Sequence, residues 1–145
     1  NIIGIKDSSG HGVNFQLLHY QLKDLPEFSL LVGPEELTAE VVLLGAHGGI
    51  NGGANMFPRL YVDLYEAALA KDFERLLPLH QRVMQISTNL YNVGNSPASY
   101  LQGVKCALSI MGICQNVLAE PLQPFGKKEE NIIKAFLQEM NVEIK

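Results

Sequence analysis

Three times in its first half the chain follows a short apolar run with an amphipathic stretch, and this rhythm constrains its fold more than any other feature. Residues 2–6 read as a buried strand, isoleucine-rich and closed by Asp7-Ser8-Ser9-Gly10. A helix follows from about Asn14, with Leu18, Leu22 and Leu25 on one face and Pro26 at its end. Residues 29–32 are the second strand. Gly33-Pro34-Glu35-Glu36 then opens a helix that runs to Leu44, with proline in its first turn and Gly45 just past its end. Glu35 and Glu36 favour the positive N-terminal end of that helix. A third strand, about His47 to Asn51, leads through Gly52-Gly53-Ala54-Asn55 into a helix near residues 56–71. That helix carries two apolar stripes, Leu60/Leu64/Ala67/Ala68 and Val62/Tyr65/Leu69, so both of its sides are expected to pack.

From Asp72 onward the strands stop. Residues 73–92, 98–113 and 127–140 read as three helices, with Pro78 expected to kink or restart the first. In the last one Ile133, Phe136, Leu137 and Met140 share a face. The division is therefore residues 1–71, three βα units, and residues 72–145, a helical C-terminal extension. Consecutive strands joined by helices demand parallel pairing. Three parallel strands make a poor sheet alone and fit better as part of a larger one, a barrel or an open sheet.

At 145 residues and 47% hydrophobic, the chain can bury the core of one domain. Its formal net charge of -4 argues against nucleic acid or an anionic membrane as the main partner. No apolar run reaches the ~20 residues of a spanning helix. The chain opens at Asn1 inside an apolar run with no signal peptide, so a preceding segment is expected. Cys106 and Cys114 lie in an apolar helical region without CxxC spacing and read as two buried thiols in a reducing cytoplasm. His11, His19, His47 and His80 form no HxxxH or HxH pair, so no metal site is expected.

In a parallel βα architecture, functional residues collect at the C-terminal ends of strands. Three places qualify: Lys6 to Gly10, Gly33 to Glu36, and Ile50 to Asn55. Lys6 stands where a strand buried on both faces would ordinarily carry another apolar residue. A desolvated ammonium loses its proton more easily, and such an amine is a nucleophile toward a carbonyl. The alternative is a lysine whose stem packs while its head reaches solvent or pairs with Asp7. The run Gly48-Gly49-Ile50-Asn51-Gly52-Gly53 contains neither GxGxxG nor GxxxxGK[ST]. It reads as close backbone approach at a crowded strand end rather than a nucleotide cradle.

The segment Asn1-Ile2-Ile3-Gly4-Ile5-Lys6-Asp7-Ser8-Ser9-Gly10 resembles the Schiff-base lysine strand of the dihydrodipicolinate synthase/N-acetylneuraminate lyase family. Residues 45–55, Gly-Ala-His-Gly-Gly-Ile-Asn-Gly-Gly-Ala-Asn, resemble that family's eighth strand and Gly-rich loop. The strand 29–32 ends directly before Gly33, as the family's seventh does. The resemblance covers essentially the whole chain and implies the C-terminal part of a (β/α)8 TIM barrel, strands six to eight, followed by a helical extension. Under it, Lys6 condenses with pyruvate or a related 2-oxo acid. Gly33 and the carbonyl of Ile50 lie beside the lysine and the bound substrate. Glu35, Glu36, Asn51 and Gly52 border the pocket for the variable part of the substrate.

The family's proton-relaying tyrosine and Gly-Thr-Thr-type carboxylate loop belong to the N-terminal part of its barrel. Tyr20, Tyr61, Tyr65, Tyr91 and Tyr100 fall on or beside expected helices and read as packing residues. The missing N-terminal part of the barrel is thus an expected partner, together with a 2-oxo acid substrate and further copies in a homotetramer, with no cofactor. Sialic acid lyases of the family carry serine where Gly52 stands, and dihydrodipicolinate synthases a small or acidic residue where Pro34 stands. Glu36 matches a sugar-hydroxyl-binding glutamate. The reading is a lyase of the sugar-acid aldolase or sialate-lyase type acting through Lys6. Its alternatives are a Schiff-base dehydratase of a 2-oxo-3-deoxy sugar acid and a non-catalytic binding subunit of the same fold.

Overall fold

A computed structural model describes residues 1–144. The chain divides into two compact units, Asn1–Val83 and the residues from Met84 on. Helix α4, Phe73–Ile86, runs from one into the other.

The first unit is a parallel sheet in the order β1-β2-β3, built from Gly4–Asp7, Ser29–Val32 and Gly48–Gly49. Lys6 pairs with Leu31 and Asp7 with Val32, while Leu31 and Val32 pair with Gly48 and Gly49. Helix α1 (Gly12–Gln21) joins β1 to β2, α2 (Thr38–Leu43) joins β2 to β3, and α3 (Pro58–Leu69) follows β3. A 3₁₀ turn precedes α2 at Glu35–Leu37, and another precedes α3 at Gly52–Asn55. The βαβαβα order and the parallel pairing expected from the sequence are both present.

Alternation along β2 decides where the core lies. Leu30 and Val32 are buried and join Phe15 of α1, Val41 of α2 and Ala46 in one cluster. A second cluster lies behind it, where Ala39 and Val42 of α2 meet Tyr61, Leu64, Ala67 and Ala68 of α3 and Leu76 and Val83 of α4. The opposite face of the sheet carries Gly4, Lys6, Ser29 and Leu31, which the pairing register aligns.

Several boundaries differ from expectation. The first strand is not buried: Ile2 and Ile3 are 77% and 79% exposed and Ile5 is also exposed. β1 is an edge strand, and no described element covers its outer side. Helix α1 ends at Gln21 rather than at Pro26, since Leu25 is exposed and offers no burial to hold a further turn. The third strand is cut to Gly48–Gly49, although His47 and Ile50 extend its pairing by donating N–H groups to the carbonyls of Leu30 and Val32. Only one stripe of α3 is covered; Val62 and Leu69 are exposed. Helix α4 continues through Pro78 instead of restarting there.

The second unit holds a π-helical turn at Ser87–Tyr91, helix α5 (Ser99–Ile110) and helix α6 (Lys127–Glu139). Ile133 and Leu137 of α6 are fully buried, as their spacing requires, and Met140 is buried just beyond. Gly103 lets α5 approach the π turn, because a Cβ there would strike the carbonyl of Leu90. Cys106 is buried, but Cys114 is exposed, since it lies beyond the left-handed turn at Gly112 that ends α5. Tyr91 and Tyr100 pack edge to face at 4.6 Å, whereas Tyr20 of the first unit is exposed.

Helices α2, α3, α5 and α6 all terminate in the same pair of bonds. After α2, for example, Gly45 N–H donates to Val42 O and Ala46 N–H to Val41 O. The left-handed residue in that motif is Gly45 or Gly112 in two cases, but Lys71 and Asn141 in the others.

Candidate active site

The C-terminal ends of the three strands bring Lys6, Gly33 and Ile50 to one edge of the sheet. Gly33 follows β2 directly, and its N–H donates to Asp7 O at 2.7 Å, carrying the β1–β2 ladder one residue further. A side chain at Gly33 would place its Cβ 3.0 Å from Lys6 Cε and against Ser8. The lysine stem therefore lies across the bare Cα of Gly33.

The ammonium of Lys6 makes no hydrogen bond or ion pair with any described residue, and its side chain is exposed. Its neighbour Asp7 is engaged elsewhere: the Ser9 N–H donates to Oδ1 at 2.8 Å and the Asn14 amide to Oδ2 at 3.3 Å. The Ser9 backbone bond is the main reason the Asp7 carboxyl is held below its ordinary range. The alternative in which Lys6 pairs with Asp7 is not what the geometry shows. Nor is Lys6 desolvated by this chain alone, for the face it stands on is uncovered.

The remaining site residues divide into two groups. Ile50 is exposed, while Glu36 and Gly52 are half-buried. Asn51 instead turns inward and is buried: its Nδ2 donates to Gly33 O at 3.0 Å, and its Oδ1 accepts from the Thr38 hydroxyl at 3.2 Å. The Asn51 amide thus bonds to protein groups at both ends, while the residue also lines the cleft beside Gly48, Gly49 and Tyr65. Glu35 is likewise buried, at 1% exposure. Its Oε1 accepts from the Tyr61 hydroxyl at 2.5 Å and its Oε2 from the Gly53 N–H at 2.9 Å. This carboxyl ties the Gly-rich loop to α3, and Tyr61 is more than the packing residue its helical position suggested.

The pairing of Glu35 with Tyr61 and the bond from Thr38 to Asn51 were not legible in the sequence. Each is an ordinary residue at an ordinary helical position, and only folding brings Tyr61 to Glu35 across 26 residues of chain. The one available signal was two adjacent polar residues next to the Gly33 turn. No group of three His, Cys, Asp or Glu side chains capable of holding a metal ion occurs among the described residues.

The model of the dihydrodipicolinate synthetase family matches residues 1–140. The chain belongs to that family. Among solved structures, the dihydrodipicolinate synthase from the commensal bacterium Bacteroides thetaiotaomicron is 55% identical with a TM-score of 0.91, covering 94% of this chain and 46% of its own. A prophage protein of the family from E. coli K12, solved in complex with pyruvate, is 25% identical with a TM-score of 0.82, covering 97% of this chain and 47% of its own. The 4-hydroxy-tetrahydrodipicolinate synthase of Phocaeicola vulgatus is 33% identical over 143 residues, 98% of this chain and 46% of that protein. The chain spans less than half the length of these family members. Like the members that it superposes on, it has an α/β fold. No helix among its described residues is long and apolar enough to cross a membrane.

Proposed function

We propose that this chain supplies the Schiff-base lysine, Lys6, of a carbon–carbon bond-forming enzyme that acts on pyruvate or a related 2-oxo acid. The observation that carries this reading is an amine free of any described partner, held at the C-terminal end of a parallel strand across Gly33, in a chain of the dihydrodipicolinate synthetase family. The pyruvate bound in the E. coli family member supports the acid, and the names of the relatives favour a synthase over the sugar-acid aldolase expected from Glu36, a reading that Gly52 weakens.

The chemistry follows from the amine. Neutral Lys6 Nζ adds to the C2 carbonyl, and loss of water leaves an imine whose protonated form draws electrons from C3. Removal of a C3 proton gives an enamine, which attacks an aldehyde carbon and forms the new bond. Water then releases the product and restores the amine. Gly33 and the Ile50 carbonyl border this amine in the proposal, with Glu36 and Gly52 toward the second substrate. Asn51 contributes from behind.

The proton relay and the carboxylate-binding donors come from the part of the barrel outside these residues. The outer edge of β1 and a cleft of about 380 Å³ lined by Gly48, Gly49, Val62 and Tyr65 are where it would pair and pack. Covering the face that holds Lys6 would also supply the desolvation that the chain by itself does not. The exposed apolar residues Val62 and Leu69 of α3 suit the same covering or a contact between copies in the expected tetramer.

The test is borohydride reduction of the full-length protein with pyruvate, read by peptide mass spectrometry. A reduced pyruvyl adduct on the peptide containing Lys6, lost in Lys6→Ala, is the expected result. A folded protein that gives no adduct with pyruvate or any of a panel of 2-oxo acids would overturn the reading.

A further inference from the structure

Gly33 is fixed from two sides. Its N–H donates to Asp7 O of β1, and its carbonyl accepts from Asn51, just past β3. Asn51 is fixed in turn by the Thr38 hydroxyl at the first residue of α2. Both side chains are buried. Space for Asn51 to turn inward exists because Gly49 has no side chain; a Cβ there would fall on the Asn51 amide, 2.9 Å from its Cγ and Nδ2. A hydrogen-bonded chain thus runs from α2 through Asn51 to the peptide on which the Lys6 stem lies.

We propose that Asn51 and Thr38 are a positioning pair, which holds the Gly33 peptide against Lys6 and so fixes the reach of the amine toward the 2-oxo acid. The proposal rests on Lys6 being the imine-forming residue. The residue types fit the task. The Thr38 hydroxyl, donating to Oδ1, sets which end of the Asn51 amide points at Gly33, so that an N–H and not an oxygen meets the carbonyl. Without that donor the amide is free to rotate, and the Gly33 turn loses its tether to β3. Small displacements of a reacting group carry large rate costs: about 1 Å can cost about 100-fold.

The experiment uses the full-length protein and measures the rate of imine formation at Lys6 with pyruvate, by single-turnover borohydride trapping, alongside thermal unfolding. Asn51→Asp replaces the donating end with an oxygen facing the Gly33 carbonyl, and is expected to slow imine formation by roughly 10-fold or more. Thr38→Val keeps the side-chain shape and removes the hydroxyl; a slowing of about threefold to tenfold is expected, and Thr38→Ser restores the rate to within about twofold. Should Asn51→Asp fail to fold, the Thr38 pair decides alone. A Thr38→Val protein that melts lower yet traps pyruvate at the wild-type rate overturns the proposal, leaving the two residues a purely structural role. Absence of an adduct in the wild-type protein instead removes the Lys6 reading, and this proposal with it; an adduct in the wild type with unchanged variant rates removes this proposal alone.

Discussion

Removing one oxygen atom tests the buried carboxyl of Glu35 directly. Tyr61→Phe deletes the hydroxyl that donates to Glu35 Oε1 at 2.5 Å and leaves the ring in place among Leu64, Ala39 and Val42. Both residues are buried, Glu35 at 1% and Tyr61 at 6% exposure, so water cannot readily replace the donor. Leaving a buried acceptor short of a partner costs about 1–3 kcal/mol. The vacated volume of a single oxygen adds little to that. Thermal unfolding of the full-length protein should read such a loss as a melting temperature lowered by a few degrees. Glu35→Leu alone takes an acceptor from the Tyr61 hydroxyl and from the Gly53 N–H, and should cost a similar amount. Combined with Tyr61→Phe it removes both partners of the short bond, so the double variant should lose clearly less than the sum of the singles. If Tyr61→Phe unfolds within about 0.5 kcal/mol of wild type, a size usual for surface changes, the assignment of this bond as a fixed buried contact is refuted. Strict additivity in the cycle would refute the coupling between the two side chains.

Other consequences follow from single positions. Gly33→Ala should cut imine formation at Lys6 by ~10-fold or more, since its Cβ would fall 3.0 Å from Lys6 Cε and displace the stem; trapping kinetics with pyruvate check this. Lys71→Gly should stabilise the chain by about 1 kcal/mol, because Lys71 ends α3 in the left-handed region that costs an L-residue about that much; urea unfolding reads the gain. Cys114 should react first with a thiol reagent at pH 8, and Cys106 only on unfolding, because burial pushes the Cys106 thiol up to about 11. The same shift has a stability consequence whose sign is fixed. The folded state keeps the Cys106 proton longer than the unfolded chain does, so its contribution is complete below about pH 9 and is lost as pH rises toward 11. Unfolding midpoints between pH 8 and 11 should decline, and less so in Cys106→Ala.

The order of elements, the parallel pairing and the position of Lys6 at a strand end were legible in the sequence, because these depend on periodicity and on residues that break it. The sequence also carried the two segments, around Lys6 and around Gly48 to Asn55, by which the family is recognised. The end of α2 was legible from Gly45, whereas α5 stops at Ile110, short of the expected residue 113, with Gly112 in the left-handed turn beyond it. The ends expected at residues 71 and 140 fall within two residues of those of α3 and α6, although nothing in Lys71 or Asn141 announces the left-handed turn each takes up. Burial was another matter. Apolarity alone would place the isoleucines of β1 in an interior, yet a strand is buried only if something lies on its faces and along its edge. Glu35 and Asn51, polar side chains next to strand ends, are both held by hydrogen bonds to protein groups. Which polar group faces a substrate and which faces the protein depends on partners distant in sequence, Tyr61 for the one and Thr38 and Gly33 for the other. Such pairs become neighbours only when the strands align and the helices pack, so tertiary structure alone decided them.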